Sequence, residues 1–460
     1  MRRRNNITNR NYNICGFKIS LQCINMIHNM IGVGSLTFAA IFKEASLIPA
    51  VILALITCAC EITSSLQIVQ NMIESKKQTF LGIARFVFGD CWARTVEIIK
   101  TITTVFSSLA FAIAALDCIP EGLEEIFGIN IFIGRLAVTI YIYLFLIYFV
   151  TRPNIEDLGF LSTLGVVLFF VSSIIIIVFM LAGFIEVEDR KITPLDIKSS
   201  IFEAMSSISL SFAMHYNIPR YFMEFGYNPE QNPDVDHKEP YEKMKKAILF
   251  SNIVAIIWYM LIGGVGYYVF GDSVKGDIIN SFNKDAGITI SIIKIALGIS
   301  LVTAIPLVIY PAQDGITNNI YGKKNNNRNN VSELRNNSLL SNNQENYGTN
   351  NLLSQDINNQ ENETHEESLL SQNNNTTKIT EDHEIVKTKK IISVILLTIV
   401  MTGSYFINDL KELLTLKGAT LIVFFVYILP SIDGIFIGFK NNKSLYQLKT
   451  PICIFLFGMT

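Results

Sequence analysis

Residues 25–42 read NMIHNMIGVGSLTFAAIF, an apolar run in which His28, Gly32, Val33, Gly34 and Ser35 stand out. A helix broken inside a membrane exposes N–H and C=O groups, and each unsatisfied group in lipid costs several kcal/mol, so a break survives only where it lines a cavity or a ligand. Glycines let such a backbone approach a ligand closely. The half-helix N-terminus attracts a carboxylate, and the other half offers carbonyls to an ammonium group or cation. The chemistry offered at Gly32-Val33-Gly34-Ser35 is capture of a small zwitterion; close helix packing explains the same glycines equally well. Two titratable groups accompany the break. His28 lies one turn before it, and Glu61 lies near the centre of the next apolar run. A carboxylate there costs at least roughly 2.5–3.5 kcal/mol to insert, so Glu61 is paired, protonated or hydrated; a structural partner and a proton relay both fit.

The elements that carry these residues are membrane spans. The chain has 460 residues, 50% hydrophobic and 17% charged, against about 25% charged in soluble domains. Apolar runs of the length that crosses a roughly 30 Å hydrocarbon core fall near 20–41, 46–73, 95–119, 131–150, 158–184, 200–223, 247–270, 288–310, 390–408 and 418–438, and a short run closes the chain at 451–460. With residues 1–19 as a cytoplasmic tail, the loops assigned inside carry 26 Lys and Arg against nine outside, which fixes the expected orientation. The seven Cys have no metal-type spacing, and no nucleophile elbow, H-E-x-x-H, P-loop or paired aspartates occur. No enzyme activity, cofactor or metal site is expected, nor any nucleic-acid partner. Lys294 is expected to reach outward from near its helix start, and Asp117 and Glu203 to be wetted at span ends.

The segment 318–388 differs in kind. It holds KKNNNRNNVSELRNNSLLSNNQENYGTNN and more of the same, too polar to bury a core, so it is expected to be a disordered cytoplasmic insert. Its repeated SLLS reads either as low-complexity expansion or as a docking motif for a cytoplasmic partner.

Five spans after the broken first one comes a second polar span, SSIFEAMSSISLSFAMHYNIPRYFMEF, with His215 and Pro219. Matching interruptions mark inverted-repeat transporters. Here the residues resemble a known family. NMIHNMIGVGSLTFAAIFKEASLIP is similar to the first-span signature of the amino acid/auxin permease family, which includes vacuolar, proton-coupled and sodium-coupled neutral amino acid transporters. SFAMHYNIPRYFMEF resembles its sixth-span motif, and AIPLVIYPAQDGI, with Pro306, the end of its eighth span. The resemblance implies an all-α, LeuT-type 5+5 inverted repeat of about eleven spans, with 20–184 as the first repeat, 200–438 as the second and 449–460 as a partial eleventh span. It implies amino acid transport by alternating access, with substrate between spans one, three, six and eight. The expected substrate contacts are Gly32, Val33, Gly34, Ser35, Phe106, Met205, Ser206, Ser209 and Phe212. His215 is expected to fix the unwound backbone.

Two positions depart from the family's sodium-coupled members. His28 stands where they have Asn, and Ala304 where they have Thr; Asn29 and Thr303 lie one step aside, about 100° round the helix, and are expected to point elsewhere. An imidazole suits a proton better than sodium, so the expected coupling ion is the proton, with His28 and Glu61 as its acceptors. A sodium-coupled symporter and an amino acid sensor of the same fold remain as alternatives. Vacuolar, lysosomal and plasma membranes are all compatible with the sequence.

Overall fold

The structure, a computed structural model, describes the chain outside residues 1–10, 15–16, 153–157, 183–189, 197–199, 230–236, 283–286, 346–383, 408–417, 445–446 and 460. Two short strands, β1 (Asn11–Ile14) and β2 (Phe17–Ser20), pair antiparallel within the tail. Ser20 ends this hairpin and caps the first helix, its hydroxyl accepting from the Cys23 N–H at 3.3 Å.

The first apolar run forms α1 (Leu21–Met30) and α2 (Val33–Ala45), bent by 44° at Ile31-Gly32. Four long helices follow: α3 (Leu47–Ser75), α5 (Asp90–Phe127), α6 (Ile131–Val150) and α7 (Gly159–Leu181). Between α3 and α5 lies α4 (Phe80–Phe88), which the span reading does not include. It is short and apolar on one side, started by the Thr79 hydroxyl and ended at Gly89, whose φ of +83° favours glycine.

The second half opens with α8 (Ile201–Ser211), a 3₁₀ turn (His215–Asn217) and α9 (Ile218–Glu224). Then come α10 (Lys238–Phe270), α11 (Ile288–Glu345), α12 (384–406), two π-helical stretches (Gly418–Ile422 and Phe424–Ile428), α13 (Leu429–Lys440) and α14 (Lys449–Met459). Among the described residues seven helices are long and apolar enough to cross a membrane, eight with the bent pair taken as one span. Span six is divided and α14 has only 11 residues, so neither enters that number.

Burial sorts the spans. The most apolar stretches of α5 and α11 are 72% and 78% buried, and those of α6 and α7 only 22% and 33%. The first two form the centre with the broken spans against them. The others are the rim, where Phe132, Leu136, Ile140, Leu144 and Phe160 are exposed as lipid-facing residues should be.

α11 continues through the start of the Asn-rich stretch to Glu345. A helix already nucleated in the membrane propagates into polar sequence without a second nucleation step. The rest of the tract, 346–383, lies outside the described residues. Its two flanks meet: the Tyr321 and Thr388 hydroxyls are 2.7 Å apart, and Lys389 Nζ lies 2.6 Å from Asp314. Ends this close tolerate a shortened connection. Deletion of residues 325–375 is therefore expected to leave uptake per inserted molecule near normal, as measured with labelled amino acids in vesicles. Loss of uptake in an inserted deletion protein would assign the tract an active role.

Candidate functional site

The two breaks face each other. At the end of α1 the Met30 carbonyl loses its helical partner, and at the end of α8 the Ser211 carbonyl does the same. Both turn to one residue of α10. The Tyr259 hydroxyl is 2.8 Å from Met30 O and 2.7 Å from Ser211 O. Tyr259 is fully buried and is held between the rings of Phe38, stacked at 4.6 Å, and Phe212, edge-on at 5.1 Å.

The glycines of the break admit packing neighbours. A Cβ on Gly32 would fall 2.4 Å from the Phe111 ring, and one on Gly34 would fall 2.6 Å from Ser211 Cβ and 2.8 Å from its Cα. Spans one, three and six thus meet at the interruption. Several polar atoms around it are buried and lack a hydrogen-bond partner among the described residues: both amide atoms of Asn25, Nδ1 of His28, Nδ2 of Asn29 and Oγ of Ser35. Such orphans call for a ligand or water. Asn29 Oδ1 does have a partner, accepting from Tyr216 OH at 3.0 Å.

The expected substrate contacts divide between two places. Val33 and Ser35 are buried at the break with the two glycines. Phe106 is half-buried against the core, and Phe212 packs on Tyr259. Met205, Ser206 and Ser209, one helical stripe of α8, instead line a cavity of about 290 Å³ with Phe202, Val423 and Tyr427. Ser211, which meets Gly34, lies on another face of that helix, so the three residues do not share the break's space.

His28 faces spans five and eight through Nε2. Its Nε2 is 3.3 Å from Ser300 O and 3.2 Å from Thr303 Oγ1. Gly165 makes the room, since a Cβ there would lie 2.1 Å from Thr303 Oγ1 and 2.5 Å from Nε2. The expectation that Thr303 points elsewhere is therefore wrong. Residues 303 and 304 differ by about 100° in heading, and the helix is turned so that Thr303 faces span one.

Glu61 is fully buried among partners. Tyr427 OH donates to its Oε1 at 2.5 Å, and Ser209 Oγ is 3.1 Å from that hydroxyl. His215 Nδ1 stands 3.4 Å from Oε2, while Nε2 is 3.2 Å from Ser65 Oγ. His215 thus meets two side chains of α3. Tyr427 lies in the π-helical turn Phe424–Ile428, a distortion often found at functional sites.

Prolines in α11 bind it to span six. Pro311 has no N–H for the Leu307 carbonyl four residues earlier, and Asn217 Nδ2 takes that place at 3.2 Å. Pro219 starts α9, where its missing N–H costs nothing; Pro306 lies inside α11. On the side of the basic loops, Arg220 lies 3.0 Å from Asp314 and 3.4 Å from Glu224, with its guanidinium 4.1 Å from the Tyr310 ring centre. Arg220, Tyr310 and Asp314 line a cavity of about 60 Å³ with Tyr216 and Asn217. At the other end Lys294 is not an outward-reaching cation. It is 3% exposed and paired with Glu125 at 2.7 Å and Glu121 at 3.3 Å. Asp117 likewise pairs with Arg135 at 3.1 Å. In the loop between α10 and α11, burial pushes Asp277 up to about 7, with Asp117 and Glu121 adding to the rise.

The sequence reading passes over Tyr259, Tyr427, Ser211, Phe111 and Arg220–Asp314. A tyrosine in a fully apolar span, whose hydroxyl needs a partner, is the signal that could have found the first two.

Residues 21–460 match the family model described as transmembrane amino acid transporter protein. "Vacuolar amino acid transporter 2" of Saccharomyces cerevisiae is 23% identical over 65% of this chain, which spans 61% of that relative's length. "Amino acid transporter AVT6C" of Arabidopsis thaliana is 24% identical over 65% of this chain and 71% of its own length. "Putative sodium-coupled neutral amino acid transporter 10" of Xenopus laevis is 18% identical, over 65% of this chain and 28% of its own. Among solved structures, Mhp1, a nucleobase-cation-symport-1 family transporter in a closed conformation with bromovinylhydantoin bound, aligns with a TM-score of 0.52 at 12% identity. It covers 89% of this chain and 77% of its own. That likeness shows the fold, of the LeuT type.

Proposed function

Because the chain belongs to the transmembrane amino acid transporter family, we propose that it is a secondary active transporter of amino acids, coupled to protons and working by alternating access. The observation that carries this reading is the convergence of the two broken spans on Tyr259. Two half-helix ends from opposite repeats present carbonyls to one point, next to buried polar atoms that lack partners. A zwitterionic amino acid supplies three N–H donors for carbonyls and a carboxylate for the N-terminal end of α2. The basic loops face the cytoplasm in this reading.

Coupling follows from the groups near the site. Sodium needs several hard oxygens, whereas the place beside Ser300 O and Thr303 holds the imidazole of His28. Glu61 is the second acceptor. In vesicles, uptake of a labelled amino acid mixture is expected to rise with an inward-acid pH gradient and to persist when sodium is replaced at fixed pH. His28→Ala is expected to flatten that pH dependence. Uptake that stops without sodium and ignores pH would refute proton coupling, and Thr303 and Ser300 O would then be examined as sodium ligands. A pH- and sodium-independent binder with no flux would instead be the sensor.

A further inference from the structure

The geometry points to a proton-binding site made jointly by Glu61 and His215, clamped by Tyr427, that brackets the break of span six; it rests on the proton-coupled reading above and names the groups that hold the proton at its second acceptor. Glu61, Ser65, Ser209, His215 and Tyr427 form one chain of polar contacts between α3, α8, the 3₁₀ turn and the π-helical stretch. All are buried. The chain touches span six on both sides of its interruption, through Ser209 before it and through His215 at the residue where helical structure resumes. His28 belongs to a different set of contacts, with spans five and eight.

The contact between Glu61 Oε2 and His215 Nδ1, at 3.4 Å, is long for a hydrogen bond, and neither atom has a closer partner among the described residues. A proton held between the two atoms would give both of them a bond. Without the extra proton, Glu61 is a carboxylate facing neutral His215, and the pair carries one negative charge. When one proton arrives it resides on the carboxylate or on the imidazole, and the pair becomes neutral overall. No heavy-atom bond forms or breaks. Either form shortens the contact, and His215 carries that movement into the turn that starts α9. Among the described residues no Lys or Arg pairs with Glu61. The titratable groups that face it are Tyr427 from the π-helical stretch, His215 from the break, Tyr259 from α10, and Cys58 and Cys60 on its own helix. Ser209 and Tyr427 also line the 290 Å³ cavity, at about 30 Å³ per water enough for several that could deliver the proton.

Tyr427 is a positioning residue whose hydroxyl stabilises the carboxylate form. Its removal raises the proton affinity of the pair, so the half-point of uptake moves to higher pH. The test uses the full chain in vesicles, with labelled amino acids outside and a pH-sensitive dye inside. Glu61→Gln is expected to lower proton-driven accumulation about tenfold or more, and amino acid exchange far less. Tyr427→Phe is expected to move the half-maximal pH up by about one unit. Accumulation by Glu61→Gln at the wild-type level, or an unmoved half-point in Tyr427→Phe, overturns this site and leaves the proton-coupled reading standing. If Glu61→Gln fails to insert, the Tyr427→Phe half-point decides alone. Wild-type accumulation driven by sodium and not by pH overturns both.

Discussion

Gly34→Val is expected to abolish uptake, and the cause is contact between two broken helices. A Cβ at residue 34 would lie 2.6 Å from both Cβ and Oγ of Ser211 and 2.8 Å from its Cα, distances that side chains cannot share. Backbone cannot yield as a flexible side chain does, so α2 and α8 are forced apart and the shared Tyr259 hydroxyl loses one of its carbonyls. Overpacking of this kind costs about 1–3 kcal/mol, and here it falls on the site geometry itself. The smaller Gly34→Ala is expected to lose most uptake, and Ser211→Gly to restore part of it, since that change removes Cβ and Oγ but leaves Cα. Uptake normalised to inserted protein is the measure. A ligand contact at Gly34 would give the same loss in the single variant and no rescue in the double. Failure of rescue would therefore return the glycine to the ligand.

Asp314→Asn is expected to open the basic side. Asp314 Oδ2 meets Arg220 at 3.0 Å and Oδ1 meets Lys389 at 2.6 Å, each partner about a quarter exposed or less. One carboxylate thus ties α9, α11 and α12 together. Removing its charge takes a carboxylate from both Arg220 and Lys389, at a cost of about 1–3 kcal/mol after allowance for partial exposure. A cysteine at Thr79, which lines the same cavity, reports the opening. In a background with Cys91 and Cys453 replaced, its labelling rate is expected to rise about tenfold in Asp314→Asn. An unchanged rate would show that the three helices are held by packing alone.

Spans were legible because lipid imposes length and apolarity on each helix, and among the described residues seven, or eight with the bent pair, appear in the expected order. The first break was legible in Gly32 and Gly34, and the second in Pro219 and its serines. Three things were not. Helix rotation about its own axis decides whether Thr303 or Ala304 meets His28, and an apolar span with prolines at 306 and 311 leaves that angle open. The Glu61–Tyr427 contact joins residues 366 apart in the chain, and nothing local to either announces the other. The split of α8 into a stripe toward Tyr427 and a face toward Gly34 depends on what packs on each side, so Met205, Ser206 and Ser209 could not be separated from the break by spacing alone. The short helix α4 was missed because nine residues are too few for a span pattern, although Thr79 and Gly89 mark both its ends.

The Tyr259 hydroxyl has one proton and two carbonyls in reach. That proton is shared between the two acceptors. When α1 withdraws, the proton stays with Ser211 O; when α8 withdraws, it stays with Met30 O. If either half-helix parted from Tyr259, the buried hydroxyl would keep a bonded partner on the other.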